Sequence, residues 1–207
     1  MGRPVISAKG AATRDVILAR AVALARLHGL DGLTIGALAD DVGMSKSGLF
    51  AHFGSREELQ LAALEVNGAQ FLERVLGPAL EKPRGLARLR TMMTNWFEWI
   101  RRDKTRGGCV VAAAVSEYDD QPGPVRDRLV AHQSYWREQL ARAVKLAIET
   151  KELDASTDPQ QVAFELNALA MGVHHDGGLF DADLARKRAL AALERILRDC
   201  SPRKRRS

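Results

Sequence analysis

TIGALADDVGMSKSGLFAHFGSREEL, running from Thr34 to Leu59, is the stretch that decides how this chain of 207 residues folds. Ile35, Leu38, Ala39 and Val42 fall on one face of a short helix that Thr34 is placed to cap, and Gly43 breaks it. Ser45 then caps a second short helix lasting to about Ala51. After Phe53 and Gly54, Ser55 and Glu58 have the spacing of a capping box and open a longer helix. A helix as short as the one after Ser45 is unstable alone, so Met44, Leu49 and Phe53 are expected to anchor it on a small core. Its other face carries Ser45, Lys46, Ser47 and His52, small or polar side chains with a cation near the helix start. Such a face suits entry into a DNA major groove. Gly48 would let the backbone come close to sugar-phosphate, and the hydroxyls of Thr34 and Ser45, with helix N-termini behind them, are natural donors to phosphate.

Helical periodicity continues on both sides of this stretch with no convincing alternating strand, so the class is all-α. Toward the N-terminus a helix is predicted from about Arg14 to His28, capped by Thr13 and stopped by Gly29, with Ile17, Ala21, Leu24 and Ala25 in one buried stripe. Toward the C-terminus the helices lengthen. One runs from Ser55 to about Leu76 and stops before Gly77-Pro78; others span about Arg84 to Asp103 and Val110 to Tyr118. After Gln121-Pro122-Gly123-Pro124 a helix runs to about Thr150. Asp158, Pro159 and Gln161 start another that reaches about His174, and the last spans Asp183 to Asp199. About nine helices result, with no internal repeat.

Apolar residues make up 46% of the chain and aromatics only 5%, enough for a core and biased toward helices. Residues 1–56 hold 7 Lys/Arg against 4 Asp/Glu, whereas residues 57–200 hold 20 against 22. A basic front end beside a slightly acidic body is the asymmetry expected where one small part meets a polyanion. Cys109 and Cys200 are too few for a disulfide framework and fit a reducing compartment. Arg3, Lys9 and Arg14 interrupt any leader-like apolar start, and no run of eighteen apolar residues occurs. The expectation is a cytoplasmic protein with no membrane partner.

The segment from about Arg14 through Leu59 resembles the helix-turn-helix of TetR-type transcriptional regulators. The family's Thr opening the second helix, its apolar-Ala pair, its turn, its aromatic, its His-Phe and its Ser-Lys-Glu-x-Leu read here as Thr34, Leu38-Ala39, Gly43-Met44-Ser45, Phe50, His52-Phe53 and Ser55-Arg56-Glu57-Glu58-Leu59. Two departures stand out. Phe50 replaces a frequent Tyr and loses a hydroxyl, and Arg56 replaces Lys, keeping the charge with another geometry. The resemblance implies a three-helix DNA-binding head over residues 1–56, then a larger helical effector-binding and dimerisation domain over 57–200, and a basic disordered tail over 201–207. It implies a homodimer on double-stranded operator DNA, a repressor released by a small apolar or aromatic effector through a pendulum-like shift of the fourth helix. The DNA contacts would be Thr34, Ser45, Lys46, Ser47, Gly48, Phe50, His52, Ser55 and Arg56.

Each residue also has a plainer account. Thr34, Ser45 and Ser55 serve equally as helix caps, Lys46 as a solvated lysine and Phe50 as core. Arg3, Lys9 and Arg14 are an arm toward DNA or a frayed end, and Lys204 to Arg206 a solubilising tail or added phosphate affinity. Met92, Trp96, Trp99, Cys109, His132 and Trp136 describe an effector pocket or an ordinary core. Cys109 at a helix start could be a redox sensor or an inert thiol. His174-His175-Asp176 invites a metal, but no third ligand is placed by spacing, so neither metal nor cofactor is expected. Phe164, Ala168, Met171 and Gly172, with Ala189, Leu193 and Ile196, are the predicted dimer face, since residues 162–173 are apolar nearly all round. An enzyme would need a nucleophile–base pair, a phosphate loop or metal spacing, and none is present. The remaining alternative is an interaction module that has lost DNA binding.

Overall fold

The computed structural model describes residues 8–101 and 107–202, with side chains from residue 13 onward. Every regular element among them is helical. They are α1 (Ala8–His28), α2 (Ile35–Val42), α3 (Lys46–Phe53), α4 (Arg56–Phe71), α5 (Gly77–Leu80), α6 (Leu86–Ile100), α7 (Val110–Glu117), α8 (Pro124–Glu149), α9 (Pro159–Leu179) and α10 (Ala182–Asp199). A π-helical turn, Leu72–Leu76, joins α4 to α5, so the rod does not end before Gly77-Pro78 as the sequence predicts. Proline lacks an N–H and its ring collides with a carbonyl four residues back. The wider turn, in which the Gly77 N–H reaches Leu72 O, lets the chain pass Pro78 without breaking. With α4, the π turn and α5 counted as one rod, nine helices are described.

Most helix boundaries follow the caps read from the sequence; Thr13, expected to cap the first helix, lies instead inside α1. The Thr34 hydroxyl accepts from Ala37 N at 3.1 Å, Ser45 from Gly48 N at 3.1 Å, and Ser55 from Glu58 N at 3.0 Å. Gly43 closes α2 in the left-handed region at φ 67°. Asp158 caps α9 through Gln160 N, and α10 starts one residue before its expected Asp183, capped by Asp181, which the sequence reading did not name, through the amides of Asp183 and Leu184. Helix α1 begins about six residues before its predicted start, and α9 runs five past His174 through Gly177-Gly178.

Two compact units emerge among the described residues: 8–68 with 107–129, and 69–101 with 130–202. The boundary expected after residue 56 therefore falls in the first turn of α4, and the first unit extends well past it. The reason is the core. Ile17, Ala21 and Val22 of α1, Leu38 of α2, and Leu49 and Phe53 of α3 form one buried cluster. Leu59, Ala63 and Leu64 of α4, Val110 and Ala114 of α7, Tyr118, and Val125 and Leu129 of α8 belong to the same cluster. One long helix and two of eight residues cannot enclose a core of their own; α4, α7 and the start of α8 complete it. Residues 203–207 of the expected tail lie outside the described residues.

In the second unit α9 and α10 pack along each other and against α6. Arg90 clamps Glu194 with both guanidinium arms, at 2.8 and 3.0 Å, and holds that carboxyl below its ordinary range chiefly through the hydrogen bond. Arg101 bonds Asp183 at 2.9 Å nearer the start of α10.

Tyr118 fastens α7 into the first unit. Gln60, buried on α4, donates to its hydroxyl at 2.9 Å and to the Leu30 carbonyl at 2.8 Å. Burial raises the phenol's pKa above the ordinary value. Tyr118→Phe leaves a buried amide proton without its acceptor and is expected to lower stability by about 1–3 kcal/mol, read as a reduced midpoint in urea unfolding.

Candidate nucleic-acid interface

Helix α3 turns Leu49 and Phe53 fully inward and leaves Ser47 and Lys46 exposed, with Phe50 at 55% exposure on the same outward side. That exposure removes the reading of Phe50 as core. Ala51, whose methyl carries no chemistry to single it out, is exposed beside it. His52 is half-buried, its ring tilted against Phe53 with centroids 6.3 Å apart. The Arg14 guanidinium lies 4.9 Å above the Phe53 ring, so Arg14 braces α3 from α1. Arg3 and the side chain of Lys9, its companions in the expected arm, lie outside the described residues.

Lys46 lies against the start of α2. A methyl added at Gly36 would sit 3.5 Å from its Cε, 3.7 Å from Nζ and 3.9 Å from the Thr34 hydroxyl. The ammonium therefore stands beside the positive end of a helix, an arrangement that is unfavourable until an anion comes between them. A DNA phosphate is such an anion, and the Thr34 hydroxyl, while accepting from Ala37 N, keeps its own proton to donate. The cap and phosphate readings of Thr34 are thus compatible. Ser45 behaves alike: it accepts from Gly48 N and lies 3.2 Å from the Ser47 hydroxyl. A side chain at Gly48 would come within 3.1 Å of Ser45 Oγ, so this glycine protects the cap as well as allowing close approach.

Arg56 is placed differently from the expectation. It bonds the Asp31 carboxylate at 2.7 Å, the Asp31 carbonyl, and the Leu33 carbonyl at 3.3 Å. The α1–α2 turn presents converging carbonyls that a guanidinium fork fills, so Arg56 is a strut of the head. Ser55 caps α4, but the reciprocal half of its box is not formed, because its N–H goes to Phe53 O at 2.8 Å. Arg20 grips Asp41 through two bonds of 2.8 and 2.7 Å and ties α1 to α2.

The residues expected to share an effector pocket divide. Cys109 is buried in the first unit behind Gly107-Gly108, whereas Met92, Trp96, Trp99, His132 and Trp136 lie in the second. There Trp96 meets Trp136 edge to face at 5.0 Å. Phe71, which sequence reasoning missed at the end of α4, stands edge-on to Trp136 at 4.8 Å and to Trp99 at 6.0 Å. Among the described residues, the buried Trp136 indole N–H has no hydrogen-bond partner. Among the described residues, no three His, Cys, Asp or Glu side chains gather as for a metal, and no helix is long and apolar enough to cross a membrane.

The predicted dimer face also divides. Ala189 and Leu193 are buried within the subunit at 6% and 1% exposure, since with Ala185 and Leu197 they form the stripe that α10 turns to its own core. They are corrected to core. Phe164, Ala168 and Gly172 are exposed on α9, Met171 and Ile196 are half-buried, and exposed Leu179 continues the stripe.

A head that presents a short capped helix over a shared core, followed by an all-helical unit, defines the class of helix-turn-helix transcriptional regulators. Residues 17–63 match the "Bacterial regulatory proteins, tetR family" domain, and residues 85–193 match the "Tetracyclin repressor-like, C-terminal domain". The chain belongs to the TetR family. It is a transcriptional regulator with an N-terminal DNA-binding domain, in a family of DNA-binding factors rather than enzymes. A TetR transcriptional regulator from Chloroflexus aurantiacus J-10-FL shares its fold at TM-score 0.84 and 24% identity, over 92% of this chain and 96% of that one. SCO4454, a TetR-family regulator from Streptomyces coelicolor, aligns at TM-score 0.79 and 23% identity, over 93% and 96%. AibR, solved with isovaleryl coenzyme A and operator DNA, aligns at TM-score 0.69 and 21% identity, over 86% and 96%. No curated protein gives a significant sequence match.

Lys46→Ala is expected to weaken DNA binding while leaving the unfolding free energy, read by urea denaturation, within about 0.5 kcal/mol of wild type, as for an exposed side chain. Full DNA affinity in that folded variant would remove Lys46 from the interface.

Proposed function

We propose that the protein is a repressor that binds a near-palindromic operator as a homodimer and is released by a small apolar or aromatic effector. The observation that carries the DNA step is the Lys46 ammonium beside the α2 N-terminus, next to the outward face of α3. Thr34 and Lys46 hold a phosphate there. Ser45 and Ser47 meet backbone or base edges, and Gly48 allows the approach. Phe50 offers its ring to a thymine methyl, and His52 supports it. Arg56 and Ser55 act from behind, by shaping the head.

Dimerisation uses the outward stripe of α9, Phe164, Ala168, Met171, Gly172 and Leu179, with Ile196 of α10 at its margin. Exposed apolar side chains in one helical stripe call for a partner, and a two-fold partner places two α3 helices for two half-sites. The effector is received in the second unit among Phe71, Met92, Trp96, Trp99, His132 and Trp136. The partnerless Trp136 N–H favours a ligand with a hydrogen-bond acceptor. AibR's capture of both a coenzyme A ester and operator DNA gives this two-ligand reading a precedent of fold. Differential affinity of about 1–3 kcal/mol between the two states is enough for release.

Selection of genomic fragments by the purified protein, followed by gel shifts at rising salt, tests the DNA step. Affinity is expected to fall with a log–log slope of about −0.9 for each phosphate neutralised; an absence of any shifted fragment sinks the reading. Gly172→Glu tests the dimer. An added side chain at Gly172 meets nothing within 4 Å in the subunit, and glycine is the poorer helix former, so folding is preserved. Sedimentation is expected to give a monomer with weakened DNA binding, and an unchanged dimer would move the interface elsewhere.

A further inference from the structure

The turn between α1 and α2 is gripped from two sides. Arg56 and Gln60 of α4 bond the Asp31, Leu33 and Leu30 carbonyls. From the other side Glu117, the last residue of α7, accepts from Asp31 N at 2.8 Å. Its carboxylate lies so close to Gly29 that an added methyl would come within 2.2 Å of Oε1, and Gly29 itself holds φ 81°. Glycine suits the positive φ here, and the carboxylate occupies the space that a Cβ at position 29 would take. The start of the same segment is fastened as well, with Gly108 N donating to Arg26 O at 3.2 Å and Gly107 packed on that carbonyl.

Residues 107–118 thus clasp the end of α1 at Gly107-Gly108 and the turn beyond it at Glu117-Tyr118. The turn leads directly into Thr34, whose hydroxyl and following amides form the anion-facing end of α2. We propose that Glu117 is a positioning residue for DNA binding: by holding Asp31 N and packing against Gly29, it sets the α2 N-terminus that meets phosphate beside Lys46. This rests on the phosphate contact proposed above. Glu117 touches no DNA itself. It fixes the angle at which Thr34 and the first amides of α2 are presented.

Glu117→Ala removes the acceptor, whereas Glu117→Gln keeps an oxygen for Asp31 N. In the free protein, Glu117→Ala is expected to speed amide hydrogen exchange from Asp31 to Ala37 and leave α9 and α10 unchanged, with Gln restoring the wild-type rate. That arm uses no DNA, so it is independent of the phosphate reading. On a genomic fragment bound by wild type, Glu117→Ala is expected to lose about fivefold to tenfold in affinity, close to a factor-of-ten step in the binding constant. The loss shrinks when Thr34 is already Ala, because both act through one helix end. Unchanged exchange in the turn, unchanged affinity, or losses from Glu117→Ala and Thr34→Ala that simply add each overturn the proposal.

Discussion

An eight-residue helix has little stability of its own in water, because its nucleation cost is not recovered over two turns. Helix α3 exists because Leu49 and Phe53 are buried, the first at 0% and the second at 2% exposure, in a core that five other helices help to build. Each buried side chain of this size contributes roughly 1.5–3 kcal/mol. Two such anchors leave the opposite side of the helix unconstrained, and that freedom lets it serve as the reading surface proposed above. Lys46, Ser47 and Phe50 can face outward because Leu49 and Phe53 satisfy the fold without them.

The same division of labour runs through the charged groups of the head. Arg20, Arg56 and Arg14 all have partners within it: Asp41, the α1–α2 turn and the Phe53 ring. Lys46 differs, standing instead beside a helix N-terminus of its own sign. Guanidinium forks suit fixed carbonyls and carboxylates, while a flexible ammonium suits a phosphate whose position varies with the DNA. The head is braced by arginine, and its exposed Lys46 is the cation left for the phosphate contact proposed above.

The second unit is organised by packing rather than by polar design. Four aromatic rings, Phe71, Trp96, Trp99 and Trp136, meet edge to face, and α9 and α10 close over the core with ion pairs at the margins. Exposed ion pairs of this kind add little each, so the unit's stability lies in its apolar interior. Its outward face on α9 remains apolar without being buried.

The local structure of this chain was legible in its residues, because caps, breaks and helical periods act over four residues or fewer. Thr34, Ser45, Asp158, Gly43 and the stripe of α1 all do what their positions indicate. Periodicity also marked α10 as amphipathic, yet it could not say whether Ala189 and Leu193 face their own subunit or another. That depends on which neighbour arrives, and α6 and α9 arrive first. Nor could any local rule place Arg56 on the α1–α2 turn, Phe71 against Trp99 and Trp136, or α7 in the head's core. These contacts join residues 20 to 90 positions apart, and only the packed chain decides which carbonyl, ring or core each one meets.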